Sequence, residues 1–201
     1  MSGEMRHVAI TGGIGSGKSF VCRLLESKGI KVYDCDSAAK RLMNTSPKLR
    51  RQLTELIGPE AYETFETTES RNLPPLNKAA VARFLLASAE NAQAINDVVH
   101  PAVAEDFLQS CMQWLESAIL FQSDFHRRVP FDAVVCVTAP DEVRIRRIML
   151  RDNISEERAE QWLQSQWPQE EMLRRSDYEI VNDGQQPLLP QIEIIMKNMK
   201  L

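Results

Sequence analysis

The feature that most constrains this chain is the segment 12–19, which reads G-G-I-G-S-G-K-S and follows an apolar run at residues 8–11. It matches G-x-x-x-x-G-K-[ST] between a strand and a helical pattern, the arrangement of a phosphate-binding loop (P-loop). Glycines let such a loop turn tightly and point backbone N–H groups at phosphate, and a helix N-terminus favours anions. The motif predicts that Lys18 reaches the β- and γ-phosphates and that Ser19 binds Mg²⁺. The alternative is a glycine-rich turn without a ligand.

The remainder of the chain alternates apolar runs with helical patterns, which predicts an α/β fold of the P-loop NTPase type: a parallel sheet flanked by helices. The predicted strands are residues 7–11, 30–33, 117–121, 133–138 and 178–181. The predicted helices between the second and third strands are about 37–44, 47–57, 77–88 and 91–116. This interval is too long for one crossover helix, so we expect a helical insertion that recognises the substrate.

Composition narrows the class of protein. The 201 residues are 43% hydrophobic, which suffices for one sizeable core, and the net charge of −4 gives no basic footprint for nucleic acid. No apolar run is long enough for a signal peptide or a membrane span, so we expect no membrane association and a cytoplasmic location. The four cysteines lie far apart without a C-x-x-C pair, and we expect them to be reduced core residues rather than disulfide or zinc ligands.

Two carboxylates, Asp34 and Asp36, follow the second predicted strand, at the edge where ligands bind in open α/β sheets. On an extended segment both would point the same way, toward the P-loop. One of them, for which we favour Asp36, could accept a proton from an attacking hydroxyl. The alternative is that Asp36 only caps a helix starting at Ser37.

An arginine-rich helical segment follows the fourth predicted strand. On a helix, Arg144, Arg147 and Arg151 share one face. Such a face is often merely solvated and paired with nearby acidic residues. Phosphoryl transfer, however, needs cations over the transferring group, and Arg147, followed by Arg151, is the best candidate.

Missing motifs narrow the function further. A switch GTPase needs D-x-x-G and N-K-x-D motifs, and the sequence N-K-A-A at 77–80 lacks the aspartate. A motor-type ATPase usually closes an apolar strand with an aspartate, whereas the apolar run 118–121 ends in Gln122. These absences leave a small-molecule kinase.

In combination, these motifs resemble the dephospho-coenzyme A kinase family over nearly the whole chain. The segments that carry the resemblance are 11–19, 29–36, 96–101, 146–152 and 177–184. The resemblance implies one kinase domain over residues 1–201 with three parts. These are a core (about 1–36, 117–140 and 176–201), a helical CoA-binding subdomain (about 37–116) and a helical lid (about 141–175). It also implies ATP, Mg²⁺ and dephospho-CoA as ligands, and leaves the oligomeric state open.

The resemblance assigns roles to individual residues. It implies that Asp36, Lys18 and Arg147 are catalytic and that Ser19 binds the metal. The expected ATP contacts are Gly13, Ile14, Gly15, Ser16, Gly17, Lys18, Ser19, Phe20, Arg147, Arg151 and Asn182. The expected acceptor contacts are Thr11, Asp36, Lys78 and His100, although His100 could instead have a packing role beside Pro101.

Three positions depart from the family pattern. Phe20 replaces a hydroxyl residue, so only its backbone N–H remains for the α-phosphate. The sequence A-I-L-F-Q at 118–122 stands where the family usually reads P-L-L-F-E, which puts the contacts of that glutamate in doubt. Lys78 replaces an arginine, which keeps the charge but loses the bidentate fork.

The expected reaction is direct, in-line transfer of phosphate from ATP to the ribose 3′-hydroxyl of dephospho-CoA, giving CoA and ADP in the last step of CoA synthesis. Two alternatives remain open from the residues. The chain could be a kinase for another nucleoside, nucleotide or small alcohol. It could also be a regulatory module that binds nucleotide without catalysis, which an intact Asp36 and the arginine face argue against.

Overall fold

The computed structural model describes residues 6–64 and 73–200. Its contacts divide the chain into two compact units, one running up to Asp34 and resuming at Cys111, the other Cys35–Ser110. In chain order the elements are β1 (Val8–Thr11), α1 (Lys18–Ser27), β2 (Val32–Asp34), α2 (Cys35–Thr45), α3 (Pro47–Ile57), α4 (Lys78–Ala87), α5 (Ala89–Gln109), β3 (Trp114–Glu116), β4 (Ala133–Thr138), α6 (Asp141–Asp152), α7 (Glu156–Gln164), α8 (Gln169–Arg174), β5 (Tyr178–Val181) and α9 (Leu188–Met199).

The first unit is built on a five-stranded parallel sheet with the order β2-β3-β1-β4-β5. Strands β1 and β4 are buried along their whole length, as expected for central strands of a sheet covered on both faces. The main core cluster joins these strands to α1 and α9 through residues such as Ile10, Val21 and Ile192. The predicted α/β fold is confirmed.

The predicted third strand is wrong. We expected it at 117–121, with a helix running to 116, but α5 ends at Gln109 and β3 is Trp114–Glu116. The short run of β3 gave too weak a signal, because strand and helix segments of this length cannot be separated by periodicity. Residues 118–121 form turns, in which Leu120 and Phe121 are buried by packing instead of strand pairing.

The second unit contains the four helices α2 to α5. Three of them begin with side chains that cap the helix: Ser46 accepts a hydrogen bond from the N–H of Leu49, Asn77 from that of Ala80, and Ser88 from that of Asn91. Arg50 of α3 stacks on the Tyr62 ring, 3.8 Å from its centroid. Within this unit α5 contacts each of the other three helices, so it is the central support of the bundle.

All four cysteines are free thiols. The prediction that they are core residues holds for Cys22 and Cys136, which are buried, but is wrong for Cys111, which is exposed, and for Cys35, which is only half-buried. Cys111 follows the end of α5 rather than lying within a helix, and its positive φ of 57° places it in a turn. In the part of the chain that the structure describes, no helix combines the length and apolar character needed to cross a membrane.

Candidate active site

The P-loop joins β1 to α1 in the first unit. Lys18 is the first residue of α1, and its Nζ donates to the carbonyl oxygens of Gly12 at 2.7 Å and Gly13 at 3.3 Å. Its side chain is only 9% exposed, and this burial lowers the pKa of the ammonium, while the carboxylate of Glu116 acts in the opposite direction. The lysine side chain is thus folded back over its own loop, in surroundings that exclude water, where it is positioned to bind an anion.

Two glycines explain how closely other elements approach the loop. Gly15 has φ +77°, and a Cβ there would lie 2.7 Å from the carbonyl oxygen of Arg144 in α6. Gly17 has φ +90° as the residue before α1, and a Cβ there would collide with the side-chain amide of Asn182. A side chain at either position would therefore be strained by its backbone conformation and would also push away a neighbouring element.

The carbonyl oxygens of the loop are held by side chains from distant parts of the chain. Arg144 Nε donates to Ile14 O at 3.0 Å, and Arg147 donates to Gly15 O and Ser16 O at 3.3 and 3.2 Å. Asn182, just after β5, donates to Ser16 O at 2.8 Å and accepts from Arg147. These hydrogen bonds hold the loop in shape from its carbonyl side.

Arg144 is a residue whose role sequence reasoning missed. It was placed on the same helical face as Arg147, yet it is only 3% exposed and forms an ion pair with Asp141 at 3.0 Å. Arg147 is half-buried, whereas Arg151 is exposed and pairs with Asp152 at 2.7 Å. Exposure therefore increases along the arginine face, from the buried Arg144, which contacts the loop, to the exposed Arg151. The spacing in the sequence could not reveal this difference.

Two buried hydroxyls and one exposed hydroxyl surround the loop. Thr11 and Ser16 are both 0% exposed, and in the ranges 6–64 and 73–200 neither hydroxyl finds a hydrogen-bond partner. Buried polar groups are nearly always hydrogen-bonded, so these two are suited to a polar ligand. Ser19, the second residue of α1, is exposed.

Glu116 is a second residue that the sequence missed, because the strand it closes was predicted elsewhere. It ends β3, the neighbour of β1, and pairs in register with Ile10. Burial lowers the pKa of Lys18 and raises the pKa of Cys22, and the charge of Glu116 opposes the first of these shifts and adds to the second. The prediction that this strand is an apolar run ending in Gln122 is therefore wrong, because the strand ends in an acidic residue.

The proposed base lies in the second unit. Asp36 is in the first turn of α2, where its carboxylate accepts a 2.5 Å hydrogen bond from Lys40 and its side chain is 75% exposed. The helix begins at Cys35, so Asp36 does not cap a helix starting at Ser37. The expectation that Asp34 and Asp36 share one extended segment is also wrong, since Asp34 ends β2 and Asp36 belongs to a helix.

The remaining acceptor candidates and two positions that depart from the family pattern differ in burial. Lys78 is exposed at the start of α4, and His100 is buried within α5 directly before Pro101. Phe20 is 46% exposed, with the guanidinium of Arg23 5.6 Å from its ring centroid. Gln122 is exposed and lines a small cavity with Phe121 and Gln166.

No cluster of three or more His, Cys, Asp or Glu side chains suited to a metal ion occurs among the residues that the structure describes. The donors at the loop are instead isolated oxygens, the hydroxyl of Ser19 and the carboxylate of Glu116. Hard oxygen donors of this kind, few in number, suit Mg²⁺ that keeps most of its waters and is shared with substrate phosphates. The donor set therefore fits the metal that the motif predicts.

Comparison with known proteins identifies the family. The family model for dephospho-CoA kinase matches residues 6–187. The chain belongs to the dephospho-CoA kinase family. A relative named dephospho-CoA kinase, from Bacteroides fragilis, is 41% identical over 192 residues, covering 92% of this chain and 88% of the relative. The resemblance predicted from the motifs is confirmed, and the chain is a phosphotransferase that uses ATP as its phosphate donor.

Solved structures share the fold of this chain. The crystal structure of TT1252 from Thermus thermophilus matches with a TM-score of 0.73 at 30% identity, covering 96% of this chain and 95% of that one. Shikimate kinase from Bacteroides thetaiotaomicron matches with a TM-score of 0.54 at 10% identity, covering 98% and 99% of the two chains, which shows a shared fold alone. The chain therefore shares its fold with a shikimate kinase.

Proposed function

We propose that the protein transfers the γ-phosphoryl group of ATP to the ribose 3′-hydroxyl of dephospho-CoA, giving CoA and ADP. The observation that carries this proposal is the P-loop of a dephospho-CoA kinase family member, braced at its carbonyls and bordered by two buried hydroxyls with no partner in the described chain. In this proposal the loop from Gly13 to Phe20 holds the triphosphate. Lys18 neutralises the charge that develops between the β- and γ-phosphates.

Asp36 is proposed as the base. Its carboxylate would take the proton from the 3′-hydroxyl while that oxygen attacks the γ-phosphorus and the bond from phosphorus to the β-phosphate oxygen breaks. Exposure of the carboxylate makes it accessible to an acceptor, and its hydrogen bond to Lys40 restricts where it points. Thr11, Lys78 and His100 are proposed as the other acceptor contacts, and the last two belong to the same helical unit as Asp36. That unit corresponds closely to the proposed CoA-binding subdomain, about 37–116.

The segment of about 141–175 is proposed to act as a lid. A kinase must exclude water so that ATP is not hydrolysed before the acceptor arrives. Arg147, which contacts the loop, is proposed to stabilise the charge on the transferring group. Asn182 bonds both Ser16 and Arg147, and it is proposed to hold Arg147 to the loop beside the nucleotide. Arg151, which is exposed, would contact ATP only after it leaves Asp152.

Mg²⁺ is proposed as the cofactor, held through the hydroxyl of Ser19, and Glu116, whose charge acts on Lys18, is proposed to orient its waters. The metal would offset the negative charge of the phosphate oxygens. Removal of divalent cations with EDTA should abolish transfer, and added Mg²⁺ should restore it. Full turnover in excess EDTA would exclude this role.

The test of the proposed function is an acceptor screen that measures ADP release. Dephospho-CoA, nucleoside monophosphates and simple nucleosides would be supplied with Mg²⁺ and ATP, with Lys18→Ala as the inactive control. We expect acceptor-dependent ADP release with dephospho-CoA at the highest kcat/KM. A preference for another acceptor would overturn the substrate assignment, and ATP binding without acceptor-dependent turnover would favour a regulatory module.

A further inference from the structure

A glutamine 152 residues farther along the chain binds the P-loop directly. Gln166 lies between α7 and α8, and its Oε1 accepts a 2.7 Å hydrogen bond from the N–H of Ile14. The carbonyl oxygen of Ile14 is also engaged, since it accepts a hydrogen bond from Arg144. Ile14 is thus held at both its N–H and its C=O, and the family motifs gave no role to either holder.

Two contacts anchor the residues that follow Gln166. After it, the side-chain amide of Gln169 accepts from the N–H of Ala139 at 3.1 Å and donates to the C=O of Ala139 at 3.2 Å, at the end of β4. Next to it, the Trp167 ring packs under the guanidinium of Arg175 at 4.7 Å. Gln166 is therefore presented to the loop by fixed neighbours.

The contact occupies a position suited to phosphate. N–H groups of a P-loop point at phosphate oxygens, and an acceptor oxygen 2.7 Å from such a nitrogen stands where a phosphate oxygen would stand. A Cβ built on Gly13 would collide with the guanidinium of Arg144 and lie 3.5 Å from the Gln166 oxygen. The glutamine and the arginine therefore flank the first half of the loop together.

A carboxamide suits this position because it carries both an acceptor and a donor. Its oxygen satisfies the Ile14 N–H when no phosphate is present. When a phosphate oxygen takes that place, the amide must move off the Ile14 N–H, and a half-turn about its terminal bond then lets its NH₂ group donate to the phosphate. A carboxylate lacks the second role, because it accepts hydrogen bonds only and repels the phosphate. Among the described residues, the neighbouring cavity is lined by a second amide, Gln122, and by no carboxylate.

We propose that Gln166 recognises the γ-phosphate of ATP. In the unliganded chain its oxygen holds the N–H of Ile14, and when ATP fills the loop its amide turns and donates to a γ-phosphate oxygen. This role rests on the proposed function of the loop as an ATP site, and it makes Gln166 a residue that separates ATP from ADP. An enzyme that releases ADP after each turnover benefits from such a difference in affinity.

The test measures the dissociation constants of ATP and ADP by calorimetry with Mg²⁺ and no acceptor. The variants are Gln166→Glu and Gln166→Leu, with Gln164→Glu, at an exposed position of α7, as the matched control. We expect Gln166→Glu to weaken ATP by about tenfold or more, the scale of a hydrogen bond to a charged group plus a new repulsion. ADP should be weakened by much less, and the control should behave as wild type.

Gln166→Leu should also lower the preference for ATP over ADP, because it removes the donor without adding charge. An unchanged preference in both variants, with wild-type protein binding ATP, would overturn the proposal. If Gln166→Glu does not fold, Gln166→Leu alone decides in the same way. Absence of ATP binding by the wild-type protein would instead overturn the proposed function, so the two failures are distinguishable.

Discussion

The proposed ATP site and the proposed base are stabilised in different ways. In the first unit, hydrogen bonds to Ile14, Gly15 and Ser16 come from side chains 130 to 166 residues away along the chain. In the second unit, Asp36 pairs with Lys40, four residues away on the same helix. The nucleotide loop is thus built by tertiary structure, whereas the geometry around the proposed base is set by one helix.

This difference has consequences for function. A loop with its carbonyls fixed in advance spends little free energy on ordering when phosphate binds, which is how preorganised sites gain their strength. An exposed ion pair within a helix contributes only about 0.3–0.5 kcal/mol and is screened by salt. Substitutions at the loop should therefore affect binding and catalysis together, and substitutions at Asp36 should affect catalysis with little effect on stability.

The largest effect is expected from Asp36→Asn. Asn cannot accept the hydroxyl proton, so kcat should fall by roughly two to four orders of magnitude, the range for a positioned acid–base group. The melting temperature should change little because the lost ion pair is exposed. Steady-state kinetics and thermal unfolding measure both, with Asp97→Asn as an exposed control in the same unit. A lower melting temperature with an unchanged kcat would contradict the account, because Asp36 would then stabilise the helix and not act as the base.

The next effect is expected from Lys18→Ala. It removes a buried cation that follows the β- and γ-phosphates, at a cost of about 2.7–4 kcal/mol, which is a fall of about a hundredfold or more in turnover. The control is Lys28→Ala, just after α1, whose ammonium pairs with Glu193 at the surface. Near-full activity of folded Lys18→Ala would show that the loop does not act on phosphate.

A smaller effect is expected from Arg147→Ala. Loss of its contacts to loop carbonyls and to Asn182 should lower kcat by about 10- to 100-fold, the scale of hydrogen bonds that involve a charged group. ATP affinity should fall only modestly, because Arg144 still braces the loop. Arg146→Ala, an exposed change on the same helix, is the control. If Arg147→Ala and Arg146→Ala had the same kcat and the same ATP affinity, Arg147 would have no role in transfer.

The smallest effect concerns thiol labelling and tests how closed the first unit is around Lys18. Burial raises the pKa of Cys22 and of Cys136 to about 12, with Glu116 and Glu179 respectively adding to the rise. At pH 8 an alkylating reagent should therefore label exposed Cys111 first and leave Cys22 and Cys136 until the protein is unfolded. Mass spectrometry of labelled peptides measures this order, and rapid labelling of Cys136 in folded protein would contradict it.

Sequence reasoning succeeded where the signal is local. The P-loop is contiguous, so its residues, the first strand and α1 could be predicted from spacing alone. β3 was misplaced because Trp114–Glu116 is a three-residue strand beside a longer apolar run that packs as turns. Glu116 was lost with it, since its position beside β1 depends on strand pairing.

The braces of the loop could not be predicted. Arg144 carries the same helical spacing as Arg147, and only packing decides which of the two is buried. Gln166 belongs to a polar segment with no motif, and its contact with Ile14 exists only because α7 and α8 return to the loop in the folded unit. Residues that act across 130 or more positions leave little trace in one sequence.

Phosphorus NMR of the product formed from ATP and dephospho-CoA tests the central assignment most directly. Wild-type protein should convert dephospho-CoA into a species with one new phosphomonoester, coupled to the ribose proton at the 3′ carbon, with one ADP formed for each. Asp36→Asn should form the same product at a rate lower by roughly two to four orders of magnitude. ADP formation without that resonance, or a phosphate attached at another position, would contradict the assignment of this chain as the enzyme that phosphorylates the 3′-hydroxyl.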